Sequence, residues 1–383
     1  MKVIVLIDGE HHPSVVRWGL DAARAAGFEP LAAVMVGGTE KLGTEPRAGP
    51  AGLEALTGMP VLEVGGAPMA GLGDAIERFR PGAIVDLSDE PVLDHERRME
   101  LVAVALRNGI PYVGGDFRFE PPITEPALGV PTLAVIGTGK RVGKTAVSAH
   151  IARLVAPTVA DPTIVAVGRG GPPEPRTAGP RDVTLEALLA RAGRGEHAAS
   201  DYLEDALVAG VRTVGARRIG GGLFGRPFAT NVAEAAAHAA RSGAGLIILE
   251  GSGSALPTVP WDAGVLVAPA SLPAAHLAGY GGPLRLLLSD LLVLMLGTGL
   301  NRGPDHLSTL TSHAHRLAPD VRVAVAELRP VALGDVKAKD AFFATTAGGR
   351  AAVRLSEHLE RTAGCRIVRT SSRLADRAGL EED

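Results

Sequence analysis

The residues best placed to do chemistry are Gly137-Thr138-Gly139-Lys140-Arg141-Val142-Gly143-Lys144-Thr145. They follow the apolar run Leu133 to Ile136. They lead into a segment where Val147, Ile151 and Leu154 recur at offsets of four and three, the spacing of one helical face. A strand that stops at a glycine-rich turn and resumes as a helix aims successive backbone N–H groups, and the positive helix end, at one point. That arrangement suits a phosphate chain. In such a loop Lys144 reaches the outer phosphates of a nucleotide and Thr145 its magnesium ion. The commoner spacing would place glycine at 138; here Thr138 stands there and the glycine falls one residue earlier, so the loop is one residue longer.

Other charged residues follow apolar runs. Glu250 closes Leu246 to Leu249 and precedes Gly251-Ser252-Gly253-Ser254, so its carboxylate is placed to hold magnesium through water or to orient an attacking group. Thr145 and Glu250 are the candidate metal residues; Lys144 and Glu250 are the candidate catalytic ones. After Thr163 to Val167 comes Gly168-Arg169-Gly170-Gly171-Pro172-Pro173-Glu174-Pro175-Arg176, and further on Arg217-Arg218-Ile219-Gly220-Gly221-Gly222 runs on to Arg226. Arginine offers a planar fork for phosphate or carboxylate, and glycine lets backbone approach a ligand. Each stretch reads either as a loop folding over a polyanion or as a solvated, flexible loop. Near the start, Asp8-Gly9-Glu10-His11-His12-Pro13 follows Val3 to Ile7. Adjacent imidazoles diverge, which disfavours a shared metal, so His11 and His12 either contact an anionic substrate or belong to an ordinary polar turn.

The elements that must position these residues alternate. Short aliphatic runs at Val3 to Ile7, Leu31 to Val36, Val61 to Val64, Ala83 to Leu87 and Pro111 to Val113 are separated by helical stretches, the rhythm of a parallel α/β sheet. Pro121, Pro122, Pro126 and Pro131 then interrupt the chain, and proline continues neither a helix nor a central strand. The domain boundary is placed there, giving a Rossmann-like unit over 1–126 and a phosphate-loop unit over 127–383. A larger parallel sheet is expected from Leu133 to Ile136, Thr163 to Val167, Leu246 to Leu249, Val265 to Ala268, Leu291 to Leu296, Val321 to Ala326, Ala341 to Thr345 and Arg366 to Arg369. A chain of 383 residues exceeds what one core usually supports, which also favours two domains. A formal charge of −3 gives no overall attraction to nucleic acid or an anionic membrane. Arg285, Ser289 and Asp290 break the longest apolar stretch, Pro283 to Leu296, so it cannot span a bilayer. With Cys365 the single cysteine and no signal peptide at the start, a cytoplasmic protein is expected.

The loop form resembles that of the dethiobiotin synthetase group, within the SIMIBI-like class of phosphate-loop proteins related to the partitioning ATPases. The resemblance to the partitioning ATPases adds Lys140 to the catalytic candidates. A Glu-Gly-x-Gly element like that at Glu250 occurs there too. Across nearly the whole chain, however, the motifs resemble the cyclic 2,3-diphosphoglycerate synthetase family: Asp8 to Pro13, DLSDEPVL, GTGKRVGKT, VGRGGPPEP, SDYLEDAL, RRIGGGLFG, LEGSGSALP and FFATTA, in that order. The resemblance implies an ATP-dependent ligase that closes 2,3-diphosphoglycerate into a cyclic phosphoanhydride with magnesium present, K+ being a further candidate. It makes Gly137 to Thr145 the nucleotide site and Arg169, Arg176, Arg217, Arg218, Arg226, His11 and His12 the residues facing a small phosphorylated substrate. A homodimer is expected, with the amino-terminal unit closing as a lid. A dethiobiotin-synthetase-like ligase acting on another small acid is the alternative. A regulatory ATPase is a more distant one, because Gly139 stands where lysine would insert across a dimer.

Overall fold

The computed structural model describes residues 1–38, 50–196, 200–297, 303–332, 334–374 and 376–382. The first part alternates β1 (Lys2–Ile7), α1 (Pro13–Ala25), β2 (Glu29–Met35), α2 (Pro50–Thr57), β3 (Val61–Glu63), α3 (Pro68–Phe79), β4 (Ala83–Asp86), α4 (His95–Arg107), β5 (Tyr112–Val113) and β6 (Arg118–Phe119). Strands β3-β2-β1-β4-β5 lie parallel in that order, and β6 adds antiparallel at the edge. Chain direction across the sheet reverses between β1 and β4, the position at which open α/β sheets form a crevice.

The second part runs β7 (Thr132–Gly137), α5 (Lys144–Val155), β8 (Pro162–Gly168), β9 (Arg176–Ala178), α6 (Leu185–Gly193), α7 (Asp201–Ala209), β10 (Arg212–Ile219), β11 (Ala229–Thr230), α8 (Val232–Arg241), β12 (Leu246–Glu250), β13 (Ala263–Pro269), α9 (Ala274–Ala278), α10 (Gly282–Leu287), β14 (Leu291–Leu296), α11 (Pro304–Leu317) and β15 (Arg322–Glu327). Strands β10-β8-β12-β7-β13-β14-β15 form a parallel sheet, with β9 and β11 antiparallel on β10. Every residue of β8 is buried, as helices on both faces of the sheet require. The phosphate-loop strand β7 is central, between β12 and β13.

Strands β16 (Asp340–Ala344) and β17 (Arg366–Ser371) correct one expectation. They pair with each other around α12 (Gly349–Ala363), ahead of α13 (Arg377–Glu382), and do not extend the larger sheet. Both are half exposed, so, unlike β8 in the larger sheet, they are not covered on both faces.

The two large sheets share apolar packing. Helix α4 is buried from Glu100 to Leu106 and packs on α10. Phe119 meets Phe224 edge-on with ring centroids 4.8 Å apart, and Phe117 extends the run at 5.5 Å. The proline-rich connection is tied down where the N–H groups of Thr124 and Glu125 donate to the Thr258 carbonyl. Separating such a junction exposes apolar surface, whereas polar domain contacts open more readily. The amino-terminal unit thus packs on α10 through α4. Among the described residues no helix is long and apolar enough to cross a membrane.

Candidate active site

Strand β7 ends at Gly137 and α5 begins at Lys144, so residues 138–143 must turn the chain within a few angstroms of the sheet. Two left-handed residues make that turn, Arg141 at φ 61° and Gly143 at φ 99°. At Gly143 the left-handed conformation favours glycine, and a Cβ would also sit 3.2 Å from the end of the Met295 side chain. Lys144 then folds back: its buried Nζ donates to the carbonyls of Gly139 at 2.8 Å and Gly253 at 3.0 Å. Thr145 Oγ1 donates to Glu250 Oε1 at 2.7 Å, and the Ser148 hydroxyl lies 3.1 Å from Glu250 Oε2. The phosphate loop and the end of β12 thus form one unit.

Three cations converge on the loop after Glu250. Arg218 Nη2 donates to the Ser252 carbonyl at 2.8 Å, Lys144 to that of Gly253, and Arg285 Nη2 to that of Ser254 at 2.6 Å. Arg169 joins them, because a Cβ placed on Gly253 would lie 3.4 Å from its Nη2 and 3.2 Å from Arg218 Nη2. All the acceptors in these hydrogen bonds are neutral carbonyls, and the carboxylates of Asp201 and Glu250 act on the cluster only through space, so positive charge remains for a polyanion. Burial depresses the Arg218 guanidinium, and the Arg169 charge adds to the effect.

Burial likewise pulls the Lys144 ammonium down from 10.5 to about 8, with Arg218 and Arg169 adding to the fall and Glu250 and Asp201 opposing it. Between about 8 and 10.5 the unfolded chain holds more protons than the folded one, so this group makes stability rise with pH across that window. A bound anion restores the ammonium. Nucleotide binding at pH 8.5 is therefore expected to take up about three quarters of a proton, and affinity to fall as pH rises past about 8. Calorimetry in two buffers of different ionisation enthalpy measures that uptake, which should vanish in Lys144→Met.

Behind Glu250 lies a residue to which sequence reasoning gave no role. Asp205, buried on α7, shares a hydrogen bond with Glu250, which requires a proton between the two carboxyls. Burial and the Glu250 charge push Asp205 well up; burial raises Glu250 too, but there Asp205, Thr145, Ser148 and Lys144 all oppose the rise. The proton therefore resides on Asp205, leaving Glu250 a carboxylate. Asp205→Asn keeps a neutral donor and is expected to hold kcat within about threefold, whereas Asp205→Ala should lower it about tenfold by stripping a charged group of its partner. Steady-state phosphate release distinguishes the two.

The remaining sequence candidates divide by position. Lys140 and Arg141 are exposed at the crown of the loop. Arg217, its side chain alternating with that of Arg218 along β10, is exposed on the other face. Arg176 is exposed on β9, where its charge reaches Glu196. Arg226 lies 3.9 Å from Glu120. His11 Nδ1 is 2.7 Å from Asp8 Oδ1 within its own turn, and the His12 carbonyl receives the first N–H groups of α1. The nearby acids are also engaged internally: Asp8 takes the Asp89 N–H, and Asp86 takes Arg98 and Tyr112. Neither histidine is among the groups that act on Lys144.

Sequence models built on the cyclic 2,3-diphosphoglycerate synthetases match the chain end to end: the N-terminal domain over residues 2–120, the P-loop domain over 132–326 and the C-terminal domain over 332–383. The chain belongs to the cyclic 2,3-diphosphoglycerate synthetase family. The family member from Rubrobacter xylanophilus is 43% identical over 389 residues, spanning 100% of this chain and 85% of its own length. The synthetase from Methanothermobacter thermautotrophicus is 37% identical, spanning 100% and 83%. Among solved structures, hydrogenase maturation factor HypB from Archaeoglobus fulgidus matches at TM-score 0.34 and 14% identity over 61% of this chain and 89% of that one, too distant to add to the assignment. Within the synthetase family's P-loop domain fall Lys144, Thr145, Arg169, Asp205, Arg218, Glu250 and Arg285, the whole of the cation cluster and its carboxylate support.

Proposed function

We propose that this chain closes 2,3-diphosphoglycerate into its cyclic phosphoanhydride at the expense of ATP, releasing ADP and phosphate. The observation that carries the reading is the gathering of Lys144 and Arg218 on neutral carbonyls beside a phosphate loop, with Arg169 next to them. An acid bearing about five negative charges, set next to a triphosphate, needs cations supplied on the spot. In the first step an oxygen of one substrate phosphate attacks the γ-phosphorus, and ADP leaves with the bonding pair. In the second, an oxygen of the other substrate phosphate attacks the phosphorus that now carries the transferred group, and inorganic phosphate departs as the ring closes. Neither step uses a side-chain nucleophile, so the protein acts by alignment and charge neutralisation.

Magnesium fits the oxygen donors at the start of α5: the Thr145 hydroxyl would bind it and Glu250 would hold its water shell. Its contribution when bound is neutralisation of phosphate charge. A homodimer belongs to the same reading and is supported by apolar side chains left in solvent near the site, among them Ile219, Leu223 and Phe228, the last 91% exposed.

The test is phosphate release from ATP with a panel of phosphorylated three-carbon acids, followed by phosphorus NMR of the product. A cyclic anhydride formed with 2,3-diphosphoglycerate is the expected result. Equal ATP turnover with no acid present would instead identify a regulatory ATPase, and turnover driven by a different acid a related ligase.

A further inference from the structure

A cavity of about 340 Å³ opens beside the phosphate loop, lined by Thr138, Gly222, Ser254, His276, Tyr280 and Arg285. It shares Thr138 with the nucleotide loop and Ser254 with the loop after Glu250, so anything held in it lies next to the cation cluster. Its far wall is the α9–α10 turn, which rests on α4 of the amino-terminal unit.

Arg285 is 5% exposed, and its buried Nε has no partner. Burial alone depresses it, to about 10, with no charged neighbour contributing. A guanidinium taken out of water with an orphan N–H destabilises the fold unless a ligand completes it. The turn that presents it is constrained as well. Tyr280 adopts φ 52°, a left-handed conformation that bulky residues rarely take outside constrained sites. A Cβ on Gly281 would sit 2.5 Å from Arg285 Nη1 and 2.6 Å from the Leu223 carbonyl. The backbone is therefore packed against the guanidinium as closely as glycine permits.

Resting on the reaction proposed above, we propose that this cavity takes the one charged group of the acid that exchanges no phosphoryl, its carboxylate, and that Arg285 is the cation that selects for it. Both phosphates are drawn to Lys144, Arg169 and Arg218. The carboxylate then needs a separate partner, and a planar guanidinium with an unused N–H matches it in shape and charge. A site built to hydrogen-bond one group rejects analogues that lack it, because its own donor is then left unpaired.

The experiment compares 2,3-diphosphoglycerate with a probe lacking the carboxylate, glycerol 1,2-bisphosphate, in the full chain and in Arg285→Gln. Wild type should prefer the acid by about thirtyfold in kcat/KM, the scale of one charge-assisted hydrogen bond. Arg285→Gln should lose most of that preference by weakening the acid alone, with KM for ATP unchanged. An equal loss for both compounds, or an unchanged preference, overturns the proposal and leaves Arg285 as a prop for Ser254. Should Arg285→Gln not fold, Arg285→Lys is read on the same ratio: a partial loss supports the assignment and full retention overturns it. If wild type yields no cyclic product, the reaction itself falls. The cavity is then judged by thermal shift: stabilisation by the acid over the bisphosphate in wild type, lost in Arg285→Gln, upholds carboxylate selection, and equal stabilisation by both overturns it.

Discussion

Lys144→Ala is expected to reduce turnover about a thousandfold, equivalent to ~4 kcal/mol of transition-state stabilisation, in a protein that melts within a few degrees of wild type. Loss of activity and retention of the fold have different causes. Lys144 reaches both the phosphate loop and the Gly253 carbonyl, so it is placed to follow charge as it moves off the γ-phosphoryl group. Its burial already works against the ammonium, as the fall to about 8 records. Removing the side chain forfeits two hydrogen bonds to carbonyls and also removes a poorly solvated charge, and these contributions oppose one another. Phosphate release and a circular-dichroism melt, run on the same preparation, check both halves. Unchanged kinetics would remove the basis for placing a triphosphate here.

The phosphate loop was legible because its signal is local: glycines, a lysine and a hydroxyl lie in fixed order between an apolar run and a helical face. Glu250 was legible for a similar reason, as a lone carboxylate ending an aliphatic strand. Strand β10 was hidden. Its buried centre is Thr213 to Ala216, small residues flanked by Arg212 and by Arg217-Arg218, and such a run next to three glycines reads as loop. Its place comes from pairing with β8 along one edge and β9 along the other, which sequence spacing does not record. Asp205 shows the same limit, since within a helix nothing marks the one acid that turns toward Glu250. Arg285 read as an interruption in an apolar stretch; only the meeting of α10 with the Ser254 loop shows where its guanidinium goes. For the histidines after β1 the sequence offered composition alone; the fold adds that Asp8 holds His11 within its own turn.

Adjacent arginines on β10 give the sharpest separation between reading residues by type and reading them by position. Arg218→Ala is expected to lower kcat/KM about a hundredfold, whereas Arg217→Ala should change it by less than about threefold. The two share charge, length and near neighbours in sequence, so a requirement for positive charge in the general region predicts equal losses. Strand geometry predicts otherwise: successive side chains leave opposite faces, and only Arg218 meets the Ser252 carbonyl and stands beside Arg169. Its Nε is buried without a partner. Arg218→Lys, retaining charge without the fork, should fall between wild type and Arg218→Ala, because a point charge replaces part of the field but none of the planar geometry. Steady-state kinetics with ATP and the acid varied separately measures all three variants. Comparable losses in Arg217→Ala and Arg218→Ala would show that the register of β10, and with it the cation cluster, is misassigned.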